Sequence, residues 1–203
     1  MPASLFLIGA FVLSGWVFNR MPQQDGSIEI LDTSKLSLDV SSNVKDFSCD
    51  CDYEFGTRQF QFQTAEDGLS LTFANTGFYF PSKSLNCGHK GINKDMYETL
   101  KAEQYPHIDI KILEAKNQGH QATLSGSQWS SFRVKMQLTI ANEKETLWID
   151  VKGQAASKDS FRFIGTKDIS LQTFCLEPPS PMMGLVKVDD CITIHFDLWV
   201  KLE

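Results

Sequence analysis

Downstream of residue 27 the chain alternates apolar and polar residues in one short run after another: "SIEILD" from 27, "KLSLDV" from 35, "RQFQFQ" from 58, "LSLTF" from 69, "IDIKI" from 108, "FRVKMQLTI" from 132, "LWIDV" from 147, "FRF" from 161 and "ITIHFDLWV" from 192. A period of two sets one face of each strand against an apolar environment and the other against water. That pattern predicts an antiparallel barrel or sandwich and argues against a parallel α/β sheet, whose strands are apolar on both faces. Turn signals at "EDG" (66–68), "NQG" (117–119) and "ANEK" (141–144) separate runs at hairpin distances, so the topology reads as mostly meander. Phase assigns to the interior Phe60, Phe62, Leu69, Leu71, Phe73, Ile108, Ile110, Ile112, Phe132, Val134, Met136, Leu138, Ile140, Leu147, Ile149, Val151, Phe161, Phe163, Ile192, Ile194, Phe196, Leu198 and Val200. Lys111, Arg133, Lys135, Asp150, Arg162, His195 and Asp197 fall on the outer phase. A closed barrel of about eight strands is either filled by such side chains or open to one ligand, and alternation does not separate the two.

One segment breaks the period. In "NKDMYETLKAEQYPHIDIKI" (93–112), Asn93 is placed to cap a short helix running to Glu103, and Tyr105-Pro106 returns the chain to extended geometry before Ile108. Met96 and Leu100 share a face at i, i+4, which predicts a helix lying across one barrel opening with Lys94 and Lys101 outside. There Met96, Leu100 and Tyr105 either seal the core against water or touch a ligand.

Composition bounds the answer. The 203 residues are 42% apolar with a net charge of -6, the profile of one globular domain, taken as residues 27–203, behind a polar linker at 21–26. An acidic chain with no extended basic run lacks the electrostatic footprint of a nucleic-acid partner. Leu5 to Phe18 is uncharged and apolar but shorter than the ~20 residues that cross a bilayer as a helix. It reads as a secretory leader, with an uncleaved anchor as the alternative, and the expected location is periplasmic or secreted. "LSGW" (13–16) resembles a lipobox with Trp16 where the acylated cysteine would stand, which excludes lipidation there.

The five cysteines, in an exported chain, point to disulfides rather than to metal, and one thiol must remain over. No C-x2-C pair is present, and "CDC" (49–51) is read as sending its two sulfurs to opposite strand faces, so no metal site is expected. No nucleophile elbow, zinc-helix motif, P-loop or dinucleotide fingerprint occurs, and His89, His107, His120 and His195 are scattered among turns and outer strand positions. These features predict a protein that is not an enzyme and uses no cofactor.

The interrupted segment resembles the YceI-like family of polyisoprenoid-binding proteins, in which a short helix ending in a "yP-x-I" step precedes a barrel strand. "SSNVKDFSCD" (41–50), "LTIANEKETLWIDVKG" (138–153) and "ISLQTFCLEPPSPMMGLVKVDDCITIHFDLWV" (169–200) follow in the family's order. Family histidines near the first strands are here replaced by "SSNVKDF" and cysteines. The resemblance implies an all-β fold: an elongated antiparallel, lipocalin-like barrel of about eight strands with one short helix at an end, enclosing an apolar tunnel for a long isoprenoid chain or another amphiphile, close to a membrane. Its wall would be Phe60, Phe62, Leu71, Phe73, Ile110, Val134, Met136, Leu138, Ile149, Phe161, Phe163, Ile194 and Phe196. The competing expectation is an envelope structural or interaction module whose barrel is filled by its own phenylalanines. Cys175 and Cys191, flanking the "PPSPMMG" loop on neighbouring strands, are expected to form one bridge, and Cys49 and Cys87 a second, leaving Cys51 free.

Overall fold

The computed structural model describes residues 23–66, 68–119, 124 and 128–203; the apolar N-terminal stretch, Asp67 and His120 lie outside the described residues. The elements in chain order are β1 (Gln24–Ile30), β2 (Lys35–Ser42), β3 (Phe47–Cys51), β4 (Gly56–Thr64), β5 (Ser70–Ala74), β6 (Gly77–Pro81), β7 (Leu85–Asn86), α1 (Lys90–Thr99), β8 (His107–Asn117), β9 (Ser130–Ile140), β10 (Glu143–Ala155), β11 (Ser160–Ser170) and β12 (Val188–Leu202). The antiparallel ring runs β1-β4-β5-β8-β9-β10-β11-β12 and closes where β12 meets β1, with Ile30 opposite Val200 and Ile28 opposite Leu202. This is the eight-stranded barrel that the family resemblance implies, and one of the two architectures that the alternation leaves open.

Two long strands make the barrel taller than one ring. The last residues of β12 pair with β1, while its Ile192–Asp197 stretch pairs with β2, which carries β3 and β7 beyond it. β8 likewise pairs with β5 at Ser70–Lys116 and with β6 from Gly77–Lys111 to Pro81–His107. One end of the barrel is therefore walled by β1, β4 and β5, and the other by β2, β3, β7 and β6. A bulge between Ile112 and Glu114 shifts the phase of β8, so that Ala115 and not Glu114 continues the inward row opposite Val134. β1 begins at Gln24, earlier than alternation suggests, because β4 pairs with Gln24 and Gly26 whether or not they alternate.

The inward phase holds along the long strands: Ile108, Leu138, Ile140, Ile149, Val151, Ile192 and Val200 are all buried. The "ANEK" signal is a two-residue hairpin in which Ala141 and Asn142 both take positive φ (49° and 70°), the twist that suits antiparallel strands. Between β11 and the "PPSPMMG" loop a short 3-10 turn (Leu171–Phe174) drives Leu171, Phe174 and Leu176 into the core against β10, β11 and β12.

The helix starts earlier than Asn93 suggests. His89 is its N-cap, accepting a hydrogen bond from the Gly91 N–H at Nδ1 (3.2 Å). Asn93 instead accepts from the Cys87 N–H (2.7 Å) and donates to Asn86 (3.1 Å), tying the helix to the chain that enters it. Leu100 is the C-cap and Lys101, at φ 51°, ends the helix. Leu100 is buried, Met96 half-buried, and Lys94 and Lys101 exposed, as the i, i+4 spacing predicts.

One of the two expected bridges is present and the other is not. Cys49 and Cys87 form a disulfide with Cα atoms 3.9 Å apart, and Cys51 is free. Cys175 and Cys191 are both free and exposed. The residue opposite Cys191 is Ser170, and Cys175 lies beyond the 3-10 turn whose apolar residues take the inner positions, leaving its sulfur outside. Cys49 and Cys51 do not point to opposite faces: they are two apart on β3, and both pack toward the interior with Phe47.

Candidate apolar binding cavity

The end of the barrel under α1 is hollow. A cavity of about 490 Å³ lies between β2, β3, β8, β9, β12 and the helix. Its wall is built by Leu36, Leu38 and Val40 of β2, Phe47 of β3, Phe80, Leu85, Ile108 and Ile110, Leu138 and Ile140 of β9, Ile169 and Leu171, and Val188, Ile192 and Ile194 of β12. Cross-strand register explains the convergence: Val40 faces Ile192 and Leu38 faces Ile194, so two inward rows meet in one layer.

The roof is one stripe of α1. Ile92, Asp95, Met96, Thr99 and Leu100 line the cavity at the three- and four-residue spacing of a helix face. Tyr97 holds the helix down by sharing its one hydroxyl hydrogen between the carbonyls of Leu85 (2.9 Å) and Lys83 (3.0 Å). The Cys49–Cys87 bridge ties the same entry segment to β3, and Cys87 itself contributes to the lining. The polar side chains of the lining are few: Ser42, Lys45, His89, Asp95 and Thr99. Pro179, Pro181 and Val186 of the "PPSPMMG" loop complete the mouth.

Of the thirteen wall residues expected from the sequence, Ile110, Leu138 and Ile194 line this cavity. Phe60, Phe62, Leu71, Phe73, Val134, Met136, Ile149, Phe161, Phe163 and Phe196 stand elsewhere along the barrel wall. At the far end Phe60 stacks on Phe62 (centroids 5.7 Å apart) and Phe62 leans on Phe73 (6.4 Å). Three rings lie over glycines on the neighbouring strand: a Cβ at Gly26 would fall 2.3 Å from Phe60, one at Gly153 2.8 Å from Phe163, and one at Gly165 2.5 Å from Phe196. Glycine there lets a large ring lie along the wall rather than project across the barrel. All seven phenylalanines on the inward phase, Phe132 included, are half-buried.

Three groups of lining residues escaped the sequence reading as site residues. β2, with Leu36, Leu38 and Val40, carries the inward period in "KLSLDV", and its phase was the signal to use. Ile92 and Thr99 complete the helix stripe already marked by Met96 and Leu100. Leu85 and Phe80 sit in elements too short to show a period.

The outer surface carries charge. Arg162 grips Asp197 through two hydrogen bonds (2.8 and 2.6 Å) and lies over Trp199, 5.0 Å from the ring centre. That guanidinium, donating to the carboxylate, holds Asp197 below the usual carboxylate range. Burial pushes the Cys51 thiol up, against a weaker lowering by its contact with Ser84. Among the described residues no three His, Cys, Asp or Glu side chains converge to hold a metal ion.

Residues 10–200 match the YceI-like domain. The chain belongs to the YceI-like family. Solved structures similar to this YceI-like chain include a polyisoprenoid binding domain from Saccharophagus degradans implicated in plant cell wall breakdown, with a TM-score of 0.65 at 12% identity, covering 87% of this chain and 98% of that one. BcnA of Burkholderia cenocepacia follows at a TM-score of 0.59 and 18% identity, covering 82% and 95%. The YCEI protein of Campylobacter jejuni gives 0.50 at 16% identity, covering 79% and 83%. At these identities the likeness is one of fold. No curated protein matches this YceI-like chain at a significant level.

Proposed function

We propose that this YceI-like protein binds and carries an isoprenoid lipid or similar long-chain amphiphile in the cavity under α1, without performing chemistry on it, after export to the periplasm or beyond the cell. The observation that carries this reading is the cavity itself: about 490 Å³, walled mostly by aliphatic and aromatic side chains with few polar ones among them. The similar domain from Saccharophagus degradans, described as polyisoprenoid binding, supports it.

The volume bears on the ligand. At roughly 30 Å³ for a water-sized unit, 490 Å³ takes on the order of sixteen chain atoms, about three isoprene units. Burying fifteen such carbons yields about 12 kcal/mol gross at ~0.8 kcal/mol per methylene. Association and chain ordering offset a large part of that. A longer chain would run on past Ile110, Leu138 and Ile194 toward Val134, Met136, Ile149 and Phe196, and then to the phenylalanine-rich end, which gives the other expected wall residues their part. Phe60, Phe62, Leu71, Phe73, Phe161 and Phe163 would meet its last units.

The test is mass spectrometry of an organic extract of the protein purified from its native envelope, followed by rebinding of a labelled prenyl chain to the extracted protein. A stoichiometric lipid supports the reading. Leu138→Trp, placing a ring in the wall of the cavity, should cut rebinding at least about tenfold while leaving the fold intact by circular dichroism. A lipid-free extract together with no rebinding would overturn the carrier reading in favour of an envelope structural or interaction module. Fractionation of the native cell, with sequencing of the mature N-terminus, tests export and separates a cleaved leader from an anchor.

A further inference from the structure

The three most exposed large apolar side chains among the described residues are Met183, Leu185 and Val44, at 106%, 73% and 70% exposure. They occupy two loops joined side by side at the cavity mouth. The Asn43 N–H donates to the Lys187 carbonyl (3.1 Å), Asn43 Nδ2 donates to the Leu185 carbonyl (3.1 Å), and the Lys187 N–H donates to Asn43 Oδ1 (2.8 Å). Ser42 Oγ accepts from the Val44 and Lys45 N–H groups, which turns Val44 outward. Met183 takes a positive φ of 58° and Gly184 one of 84°, a turn that leaves the Met183 side chain in solvent.

This lip continues the cavity wall. Val44, Pro181 and Val186 line the cavity, so the loops that carry the exposed tips also contribute to its wall. Water-exposed apolar groups concentrated in this way mark an interaction surface. Charge narrows the partner: the only charged residues within 42–45 and 178–188 are Lys45 and Lys187, both exposed, in a chain of net charge -6. The acids Asp46, Glu177 and Asp189 flank these stretches, and Asp95 faces the mouth from α1.

We propose that this lip seats on an anionic phospholipid surface, so that an amphiphile passes between bilayer and cavity without crossing water. Its purpose rests on the lipid-binding reading above, but its test is independent of it. Apolar tips beside lysines suit the interface, where the side chains enter the acyl boundary and the ammonium groups meet phosphate.

The experiment uses the full chain carrying Leu185→Trp, with vesicles of phosphatidylcholine and phosphatidylglycerol in equal parts whose chains are brominated, and the parent chain as the fluorescence baseline. The added emission should be quenched on the mixed vesicles and much less on pure phosphatidylcholine. The Val44→Ser, Met183→Ser, Leu185→Ser triple variant should bind the mixed vesicles about tenfold more weakly than the parent, and Lys45→Glu with Lys187→Glu should abolish the preference for phosphatidylglycerol. Added emission that is not quenched, or quenching indifferent to phosphatidylglycerol, overturns the proposal. Reading the tip directly keeps the result separate from any membrane affinity elsewhere in the chain. A lipid-bearing extract from the parent, with unquenched added emission from the Leu185→Trp variant, would sink this proposal alone; quenched added emission with a lipid-free extract would sink only the carrier reading.

Discussion

Removing the Cys49–Cys87 bridge tests the link between the fold and its roof. The two cysteines are 38 residues apart, and the loop they close contains β4 to β7. Loop-closure entropy for a loop of that size amounts to about 4 kcal/mol at 25 °C. Cys49 is completely buried, so alanine is the replacement that introduces no unpaired polar group. With an m-value of about 2–3 kcal/mol/M for a domain of this class, Cys49→Ala with Cys87→Ala should lower the urea midpoint by about 1.3–2 M. Each single alanine variant should fall nearly as far as the double, because both break the same bond. Cys51→Ala, on the same face of the same strand but free, should move the midpoint far less. Prenyl-chain affinity should fall in the double variant as well, since the bridge anchors the segment from which α1 departs. A double variant within about 1 kcal/mol of the parent, or a Cys51→Ala variant equally destabilised, would refute the reasoning.

Leu100→Ala should cost about 2–3 kcal/mol by denaturant titration, the lower part of the usual range, because one side of Leu100 already faces the cavity and little new void is created. Asp197, held low by Arg162, contributes stability that is present above the ordinary carboxylate pKa and lost as pH falls through its depressed folded value. The parent should therefore lose more stability between neutral pH and about pH 3 than Asp197→Asn, and parallel midpoint-versus-pH curves would contradict this. Under native conditions near neutral pH, alkylation should label the exposed Cys175 and Cys191 promptly and Cys51 slowly, since burial raises the Cys51 pKa and lowers its thiolate fraction; peptide mapping distinguishes the three.

Local pattern settled a good deal about this protein. Period two places Ile108, Leu138, Ile140, Ile149, Ile192 and Val200 inside, and each is buried, because alternation on a strand needs only a sheet with one apolar side. The hairpin at Ala141-Asn142, the helix with Met96 and Leu100 on its inner face, and the YceI-like segments were legible for the same reason: each is written within a few residues. What phase does not carry is position along the barrel axis. Ile194 and Phe196 share one inward row on β12, yet only Ile194 lines the cavity, because height in a barrel depends on how eight strands are staggered against one another. The same holds for the pairing of β12 with both β1 and β2, which splits the wall and hollows the end under the helix. Cysteine partners were decided by register and by the 3-10 turn that buries Phe174 and leaves Cys175 outside, and the helix start by a histidine cap that competes locally with Asn93. The sequence alone thus specified which side chains of the long strands face inward, and long-range strand pairing decided which of them border empty space.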